Sequence, residues 1–353
     1  MKHTIIYKNK SRYSSFPLLT KLDDRILIGF FTAPIPDHMG LFLWSVWESF
    51  DQGETWHVSR KSKSYSGWEW ASNSPRERSD RFTLEVGDSK IATGSYGFKV
   101  NRDIRDSEAI SKSTSLFYRN YAHLIHQRNY EIPNVDIILT FPRPLQTDNL
   151  ILIPAYAIMK GTGKSRCFTW RSNDGGKSFR LWNMFSDGVD GNEMAFINTD
   201  NGILAHIRSD KHPYLLESWS EDEIIWSYPT KVYSIDKNGM GSNIIGGPPH
   251  LLRLKDGRIL CSYGYRLQRM GIRAIVSENE GMTWSAPKIL REDGGYVSSL
   301  HKRKWRNKFK LPSAGNDIGY PVSVQIDDES ILTAYYITGV DRITGIEVTK
   351  WRV

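Results

Sequence analysis

The feature that most constrains this chain is an eight-residue pattern that occurs three times. It reads Ser-x-Asp/Asn-x-Gly-x-Thr/Ser-aromatic and occupies residues 49–56, 172–179 and 277–284. The pattern is typical of a tight turn between strands. The Asp or Asn side chain bonds backbone N–H groups two residues on, Gly supplies an unusual φ, and the aromatic packs on the sheet. Three full-length copies indicate a repeat architecture.

A second repeat consists of six segments, each an acidic, Gly or Asn turn followed by a short apolar run. The isoleucines that mark these runs stand at positions 26, 91, 151, 203, 259 and 331. Most of the segments follow another strand-like run, so each predicts a β-hairpin. Six hairpins at this spacing predict an all-β fold, a six-bladed β-propeller. A degenerate copy of the turn at residues 218–226 predicts a further blade.

The chain is predicted to form a single domain over residues 1–353. No Pro/Gly/Ser-rich or low-complexity stretch divides it, and its 12 Trp, 17 Tyr and 14 Phe suit a protein that is mostly sheet. Residues 105–127 are the best candidate for a short helix or an irregular insertion. The final run, residues 345–353, is predicted to pair with the N-terminal segment, as strands that close a propeller do.

Targeting and redox signals are weak. No signal peptide and no apolar run of membrane-spanning length is visible, which predicts a cytoplasmic protein or a mature secreted form. The two cysteines, Cys167 and Cys261, lie in strand-like runs and are expected to be buried thiols. No zinc-ligand spacing or phosphate-binding loop occurs, so no cofactor and no metal is expected, and the acidic loop at residues 187–193 is a weak calcium candidate.

The formal net charge of +8 favours anionic partners. Residues 301–310 form the densest basic run and interleave lysines and arginines with aromatics. Such a run suits a nucleic acid, an anionic glycan or a solvated loop rim. Because no nucleic-acid motif accompanies it, a glycan is the expected partner, with neither nucleic acid nor membrane. The sequence carries no signal for an oligomeric state.

The repeated turn resembles the Asp-box, or BNR repeat, of the sialidase (neuraminidase) superfamily, and the resemblance covers nearly the whole chain. It implies a six-bladed β-propeller of sialidase type. It also implies an exo-acting glycosidase for a terminal acidic sugar, a sialic acid or related 2-keto acid. In that family a tyrosine is the nucleophile, a glutamate its base and an aspartate the acid/base, while three arginines bind the substrate carboxylate. Asp-boxes also occur in non-enzymes, so function depends on the site.

The resemblance places three of these residues at strand ends. Tyr320, just before the strand of the last hairpin, is the candidate nucleophile, with an ordinary strand-start aromatic as the alternative. Glu193 opens an inner strand and is the candidate base. Arg208 ends the partner strand and matches the second arginine. An interstrand salt bridge between Glu193 and Arg208 is the simpler interpretation.

The other two arginines are less regular. Arg269 lies eight residues before Ser277 and is the preferred third arginine, with Arg266 second. The family writes Phe-Arg-Ile-Pro before the first hairpin, whereas this chain has Ser15 at the arginine position. Either Arg12 substitutes, or the clamp has two arms, or the substrate is not a sialic acid.

Two further residues complete the candidate site. Asp37, in a Pro-rich loop after the first hairpin, is the candidate acid/base, although Asp is also a common turn former. His250 opens an inner strand as Glu193 does. Paired with Tyr320 it predicts an alternative function, a polysaccharide lyase or other glycosidase acting on a uronate-containing glycan. A third hypothesis is a non-catalytic glycan-binding propeller.

Overall fold

The structure is a computed structural model. It describes residues 1–34, 43–59, 65–66, 83–86, 89–92, 97–99, 115–118, 124–126, 135–140, 144–148, 150–159, 161–162, 164–174, 180–185, 189–300 and 317–353. Regular structure within these ranges consists entirely of β-strands. The chain forms two compact units, Met1–Asn73 with Tyr233–Val353, and Ser74–Val232. None of the described segments is a helix of the length and apolarity needed to cross a membrane.

The described residues of the first unit form four sheets, and three of these sheets carry candidate site residues. The terminal sheet has the order β1 (Lys2–Lys8), β30 (Thr344–Arg352), β29 (Ser330–Thr338), β28 (Ile318–Gln325). The β2 sheet has the order β2 (Tyr13–Lys21), β3 (Ile26–Ala33), β4 (Leu43–Ser49), β5 (His57–Val58), with β6 (Tyr65–Ser66) also on β4. The β23 sheet has the order β23 (Pro249–Arg253), β24 (Ile259–Tyr265), β25 (Gly271–Ser277), β27 (Lys288–Arg291). The small sheet is β22 (Gly241–Asn243), β21 (Tyr233–Ile235), β26 (Trp284–Ser285).

The second unit contains three sheets over the same described ranges. One has the order β11 (Leu124–His126), β10 (Ser115–Tyr118), β8 (Ser89–Ala92), β7 (Thr83–Val86). The next has the order β16 (Arg180–Asn183), β15 (Ser165–Ser172), β14 (Ile151–Met159), β12 (Val135–Thr140), β9 (Gly97–Lys99), with β13 (Leu145–Gln146) also on β14. The last, the β17 sheet, has the order β17 (Gly191–Thr199), β18 (Gly202–Ser209), β19 (Leu215–Ser220), β20 (Thr230–Lys231). Strands β10 and β11 lie within residues 105–127, for which the sequence predicts a short helix or an irregular insertion. The helix prediction is wrong there.

All six predicted hairpins are confirmed. The marker isoleucines fall in the second strands of the antiparallel pairs β2–β3, β7–β8, β13–β14, β17–β18, β23–β24 and β28–β29. The pairing of the two chain ends is confirmed as well, because β1 pairs antiparallel with β30. The single domain and the number of blades stay predictions.

The cores lie between neighbouring sheets. In the first unit one cluster joins the β2 sheet to the terminal sheet, with Phe30 and Leu332 fully buried. A second joins the β23 sheet to the other face of the terminal sheet through Leu260 and Tyr335. The second unit has its own cluster around Ala205. Both cysteines are free and buried as expected, and burial raises the pKa of each thiol above its usual range.

The first repeated turn is closed by its own side chains. Ser49 Oγ accepts from Gly53 N at 2.8 Å and donates to Asp51 Oδ1 at 2.8 Å. Asp51 Oδ1 accepts from Thr55 N at 2.9 Å, four residues on rather than the predicted two. Gln52 and Gly53 take φ values of 58° and 84°, so the left-handed turn predicted at glycine extends to the residue before it.

The third repeated turn has the same bonds with asparagine in place of aspartate. Ser277 Oγ accepts from Gly281 N at 2.8 Å, and Asn279 Oδ1 accepts from Thr283 N at 2.9 Å. Asn279 Nδ2 then donates to Thr283 Oγ1 at 2.9 Å. Glu280 and Gly281 have φ values of 59° and 89°. Two turns 228 residues apart are thus closed by equivalent hydrogen bonds, because each motif supplies its own acceptors.

This equivalence predicts how the first turn responds to substitution. Asp51→Ala should lower the free energy of unfolding by about 1 kcal/mol, since Thr55 N loses its acceptor. Asp51→Asn should stay near wild type because the third turn already uses asparagine. Urea unfolding of both variants measures the difference. Equal losses in the two variants would show that the carboxylate charge, rather than the acceptor, closes the turn.

The buried His206 predicts a pH dependence of stability. Burial lowers the pKa of His206 to about 3, while its unfolded pKa is near 6.5. Between these values the imidazole of His206 is protonated in the unfolded chain and stays neutral in the folded chain. Stability therefore falls as pH drops from 6.5 towards 3, by up to about 1.4 kcal/mol per pH unit. As the pH is lowered, the melting temperature of the wild type should fall more steeply than that of His206→Gln. Parallel curves of melting temperature against pH would contradict the lowered pKa of His206.

Candidate functional site

Three of the predicted hairpins begin with a bulge. In β2 the register shifts between Ser15 and Leu18, and in β28 between Gly319 and Val322. In β17 it shifts between Gly191 and Met194. In each case two residues of the first strand face one residue of the second. Bulges re-aim side chains and are common beside active sites.

The bulge of β28 carries the candidate nucleophile. Tyr320 has a φ of 51° and is followed by Pro321. The left-handed region is unfavourable for a bulky aromatic, and a following proline disfavours helical conformations. Such strain persists only where the surroundings fix it, and it is concentrated at functional sites.

Aromatic rings surround Tyr320. The ring of Phe16 meets it edge-on, with centroids 4.7 Å apart at 88°. The ring of Tyr336 stacks against it at 5.9 Å and 27°. Phe16 and Tyr336 are themselves 5.9 Å apart. Tyr320 is half-buried, so its ring is held inside an aromatic cluster rather than extended into solvent.

The structure distinguishes the two candidate arginines of the β24–β25 turn. Arg266 Nη2 donates to the carbonyl of Ile318 at 3.2 Å, which places the guanidinium beside the bulge of Tyr320. A Cβ at Gly319 would lie 3.2 Å from the same nitrogen, so glycine leaves room for it. Arg269 is exposed at the tip of the turn, with a φ of 61°.

A buried carboxylate anchors the start of β2. Tyr13 Oη donates to Asp317 Oδ1 at 3.2 Å, and Ser298 N donates to Asp317 Oδ2 at 2.9 Å. Burial raises the pKa of Tyr13 well above its usual range, Asp317 adds to the rise, and Arg266 opposes it. Arg12 directly precedes this anchor. It is half-buried in the turn before β2, where its backbone N–H donates to Asn9 O at 3.2 Å.

His250 occupies a regular part of β23 and links two sheets. Its Nδ1 accepts a hydrogen bond from the backbone N–H of Ser323 at 3.1 Å, and the residue is 7% exposed. A ring nitrogen that accepts from a backbone N–H carries no proton, so the proton of the neutral ring is on Nε2. Ser323 Oγ continues the network to Ser262 Oγ at 3.0 Å and Thr333 Oγ1 at 2.9 Å.

In the second unit, Glu193 and Arg208 form an ion pair, as the simpler interpretation predicts. Arg208 Nη1 donates to Glu193 Oε2 at 2.5 Å. Glu193 lies in the bulge of β17, directly opposite Arg208 in β18. The glutamate side chain is 4% exposed and that of the arginine 27%. The bulge thus turns a carboxylate towards a guanidinium on the next strand.

Neighbouring polar groups hold this pair. Asn192 Oδ1 accepts from the backbone N–H of Glu193 at 2.5 Å, and Asn192 Nδ2 donates to Asp210 Oδ1. Burial raises the pKa of Asp210, and Arg208 opposes the rise. Burial also raises the pKa of Tyr156, with a contribution from Glu193.

Several of these residues were not found from the sequence. Phe16, Asn192 and Asp317 had no motif to mark them. One signal existed, since Phe16-Pro17 and Tyr320-Pro321 are both aromatic–proline pairs near the start of a strand that opens a predicted hairpin. Asp37 and the basic run at 301–310 lie outside the described residues.

Comparison with known proteins establishes the fold. No protein-family model and no curated sequence matches the chain. A protein of unknown function from Dyadobacter fermentans DSM 18053 is similar in structure, with a TM-score of 0.66 and 20% identity over 99% of this chain and 98% of that one. Trypanosoma rangeli sialidase, solved with 2,3-difluorosialic acid as a covalent intermediate, gives a TM-score of 0.60 and 12% identity over 99% of this chain.

The Hadza microbial sialidase Hz136 is also similar, with a TM-score of 0.57 and 14% identity over 97% of this chain. This chain spans 59% of the length of the trypanosomal sialidase and 66% of that of Hz136. The likeness shows a fold of the β-propeller type that these sialidases have, which the repeats predict.

The ion pair of the second unit gives a stability prediction. Arg208→Met should lower the free energy of unfolding by about 2–3 kcal/mol because the Glu193 carboxylate is left in a buried bulge without its guanidinium. Partial exposure of Arg208 keeps the loss below that of a fully buried pair. The double variant Glu193→Gln/Arg208→Met should recover part of the loss in urea unfolding. Additive losses would show that the two side chains are not coupled.

Proposed function

We propose that this chain is a glycoside hydrolase of sialidase type that removes a terminal acidic sugar from a glycan. The observation that carries the proposal is the placement of Tyr320. Its backbone is held in a strained bulge, its ring in an aromatic cluster, and Arg266 lies beside it. Likeness in fold to two sialidases supports the reaction class.

The chemistry follows from the substrate. An acidic sugar of this class has a carboxylate on its anomeric carbon, which repels a carboxylate nucleophile. A tyrosine oxygen is neutral before attack and avoids that repulsion. Attack by Tyr320 Oη breaks the glycosidic bond and forms a glycosyl–tyrosine intermediate, and water then hydrolyses it with net retention. Arg266 supplies a permanently charged fork for the carboxylate.

The other nominated residues have subordinate roles in this proposal. The resemblance nominates Glu193 as the base and Arg208 as an arm for the carboxylate, and within the second unit the two form an ion pair. Asp37 is the proposed acid/base for the leaving group. Arg269 and Arg12 are further arms for the carboxylate. Arg266 is ranked above Arg269 because its guanidinium contacts the strand that carries Tyr320, whereas Arg269 is exposed.

The arrangement of His250 favours hydrolysis over β-elimination. A lyase base needs an unprotonated ring nitrogen that faces the substrate. The unprotonated nitrogen of His250, Nδ1, instead accepts a hydrogen bond from Ser323 N. Its Nε2 carries the proton and is a donor. His250 therefore fits a substrate-binding hydrogen bond better than proton abstraction.

Turnover of 4-methylumbelliferyl N-acetylneuraminic acid tests the proposal. Tyr320→Phe should reduce kcat/KM by at least about 10³-fold, because the nucleophilic oxygen is lost while the ring remains. Tyr296→Phe, an exposed tyrosine of the same unit, serves as the control and should keep wild-type activity.

Three outcomes would contradict the proposal. Near-normal turnover in Tyr320→Phe would remove Tyr320 from the mechanism. An unsaturated product that absorbs in the ultraviolet, formed from a uronate polysaccharide, would establish a lyase instead. Binding on a glycan array without any product from acidic sugars would establish a non-catalytic propeller.

A further inference from the structure

We propose that Phe16 is a positioning residue for Tyr320, so that strand β2, and not only the last hairpin, sets where the tyrosine oxygen lies. The proposal rests on the proposed function for its kinetic consequence. Its structural basis is independent of that function, because it concerns how two strands of one compact unit fix one ring.

The bulges of β2 and β28 are built alike. In β2, Phe16 and Pro17 together face Phe30, since Ser15 pairs with Phe31 and Leu18 with Gly29. In β28, Tyr320 and Pro321 together face Tyr335, since Gly319 pairs with Tyr336 and Val322 with Ala334. Phe30 and Tyr335 are both fully buried aromatic residues. Each bulge is therefore an aromatic–proline pair opposite a buried ring.

Both bulges take the same unfavourable conformation. Phe16 has a φ of 54° and Tyr320 a φ of 51°. Glycine would adopt this conformation freely, yet each strand has a large aromatic there. Two aromatic residues that share this unfavourable φ, and whose rings are in contact, are hard to explain by loop geometry alone. Strain of this kind points to a functional constraint.

The contact restricts the nucleophile. The edge of one ring meets the face of the other at 4.7 Å, and Tyr336 stacks on Tyr320 at 5.9 Å. With rings on two sides, rotation of the Tyr320 side chain displaces a neighbour. The hydroxyl is thereby held in one direction. A nucleophile displaced by about 1 Å loses about 10²-fold in rate, so the ring of Phe16 affects chemistry without touching substrate.

The anchor at the start of β2 makes this arrangement firm. Tyr13 precedes Phe16 by three residues and is tied to Asp317, which precedes Tyr320 by three. One buried hydrogen bond therefore joins the two strand starts, and each of its residues stands three positions before a bulge. The symmetry explains how two strained residues keep a common register.

Steady-state kinetics of four Phe16 variants tests the role. Phe16→Leu and Phe16→Ala should lower kcat about 10–100-fold with KM changed less than about threefold. Phe16→Tyr should restore kcat to within about threefold because the ring returns. Phe16→Gly should be as slow as Phe16→Ala although it relieves the backbone strain. The exposed Phe50→Leu is the control. Wild-type kcat in Phe16→Leu would overturn the proposal.

A spectroscopic measurement separates this proposal from the proposed function. Protein labelled with 3-fluorotyrosine gives a ¹⁹F resonance for Tyr320 that disappears in Tyr320→Phe. In Phe16→Leu that resonance should shift, because the edge of the neighbouring ring is lost, and in Phe50→Leu it should not. An unshifted resonance would overturn the positioning role. A shift in a protein that hydrolyses no acidic sugar would support the positioning role and overturn the proposed function.

Discussion

The buried hydrogen bond between Tyr13 and Asp317 is the interaction on which the first unit depends. It joins the start of the first long strand to the start of the last hairpin, 304 residues away in sequence. Asp317 also accepts from Ser298 N, so one carboxylate fixes three segments. A buried carboxylate needs such partners, and once satisfied it allows a single arrangement. The facing bulges of β2 and β28 are built on that arrangement.

The second unit uses a related solution. There a bulge exposes a backbone N–H, and the side chain of Asn192 satisfies it while Glu193 turns to Arg208. In both units a nominated catalytic residue sits in a two-against-one bulge, whereas His250 sits in a regular ladder. A bulge changes the direction of one side chain without disturbing the sheet beyond it.

Fold and function rest on different kinds of observation in this protein. The likeness to sialidases establishes the fold at low identity, and a fold alone does not decide between hydrolysis, elimination and binding. The choice among them depends on a few atoms. The committed Nδ1 of His250 weighs against elimination, and the strained, ring-enclosed Tyr320 beside Arg266 favours nucleophilic attack. The aromatic cluster adds Phe16 to the residues that bear on the proposed reaction.

The sequence by itself determined the local elements of this protein. Six hairpins, two of the repeated turns and the buried cysteines follow from period, turn chemistry and composition, all of which act over a few residues. The resemblance carried by the repeated turns nominated Tyr320, Glu193 and Arg208 at the ends of hairpin strands. Only the tertiary structure decided that Phe16 meets Tyr320 and that Arg266, not Arg269, lies beside it. These two contacts join residues from distant parts of the chain, and no local pattern encodes them.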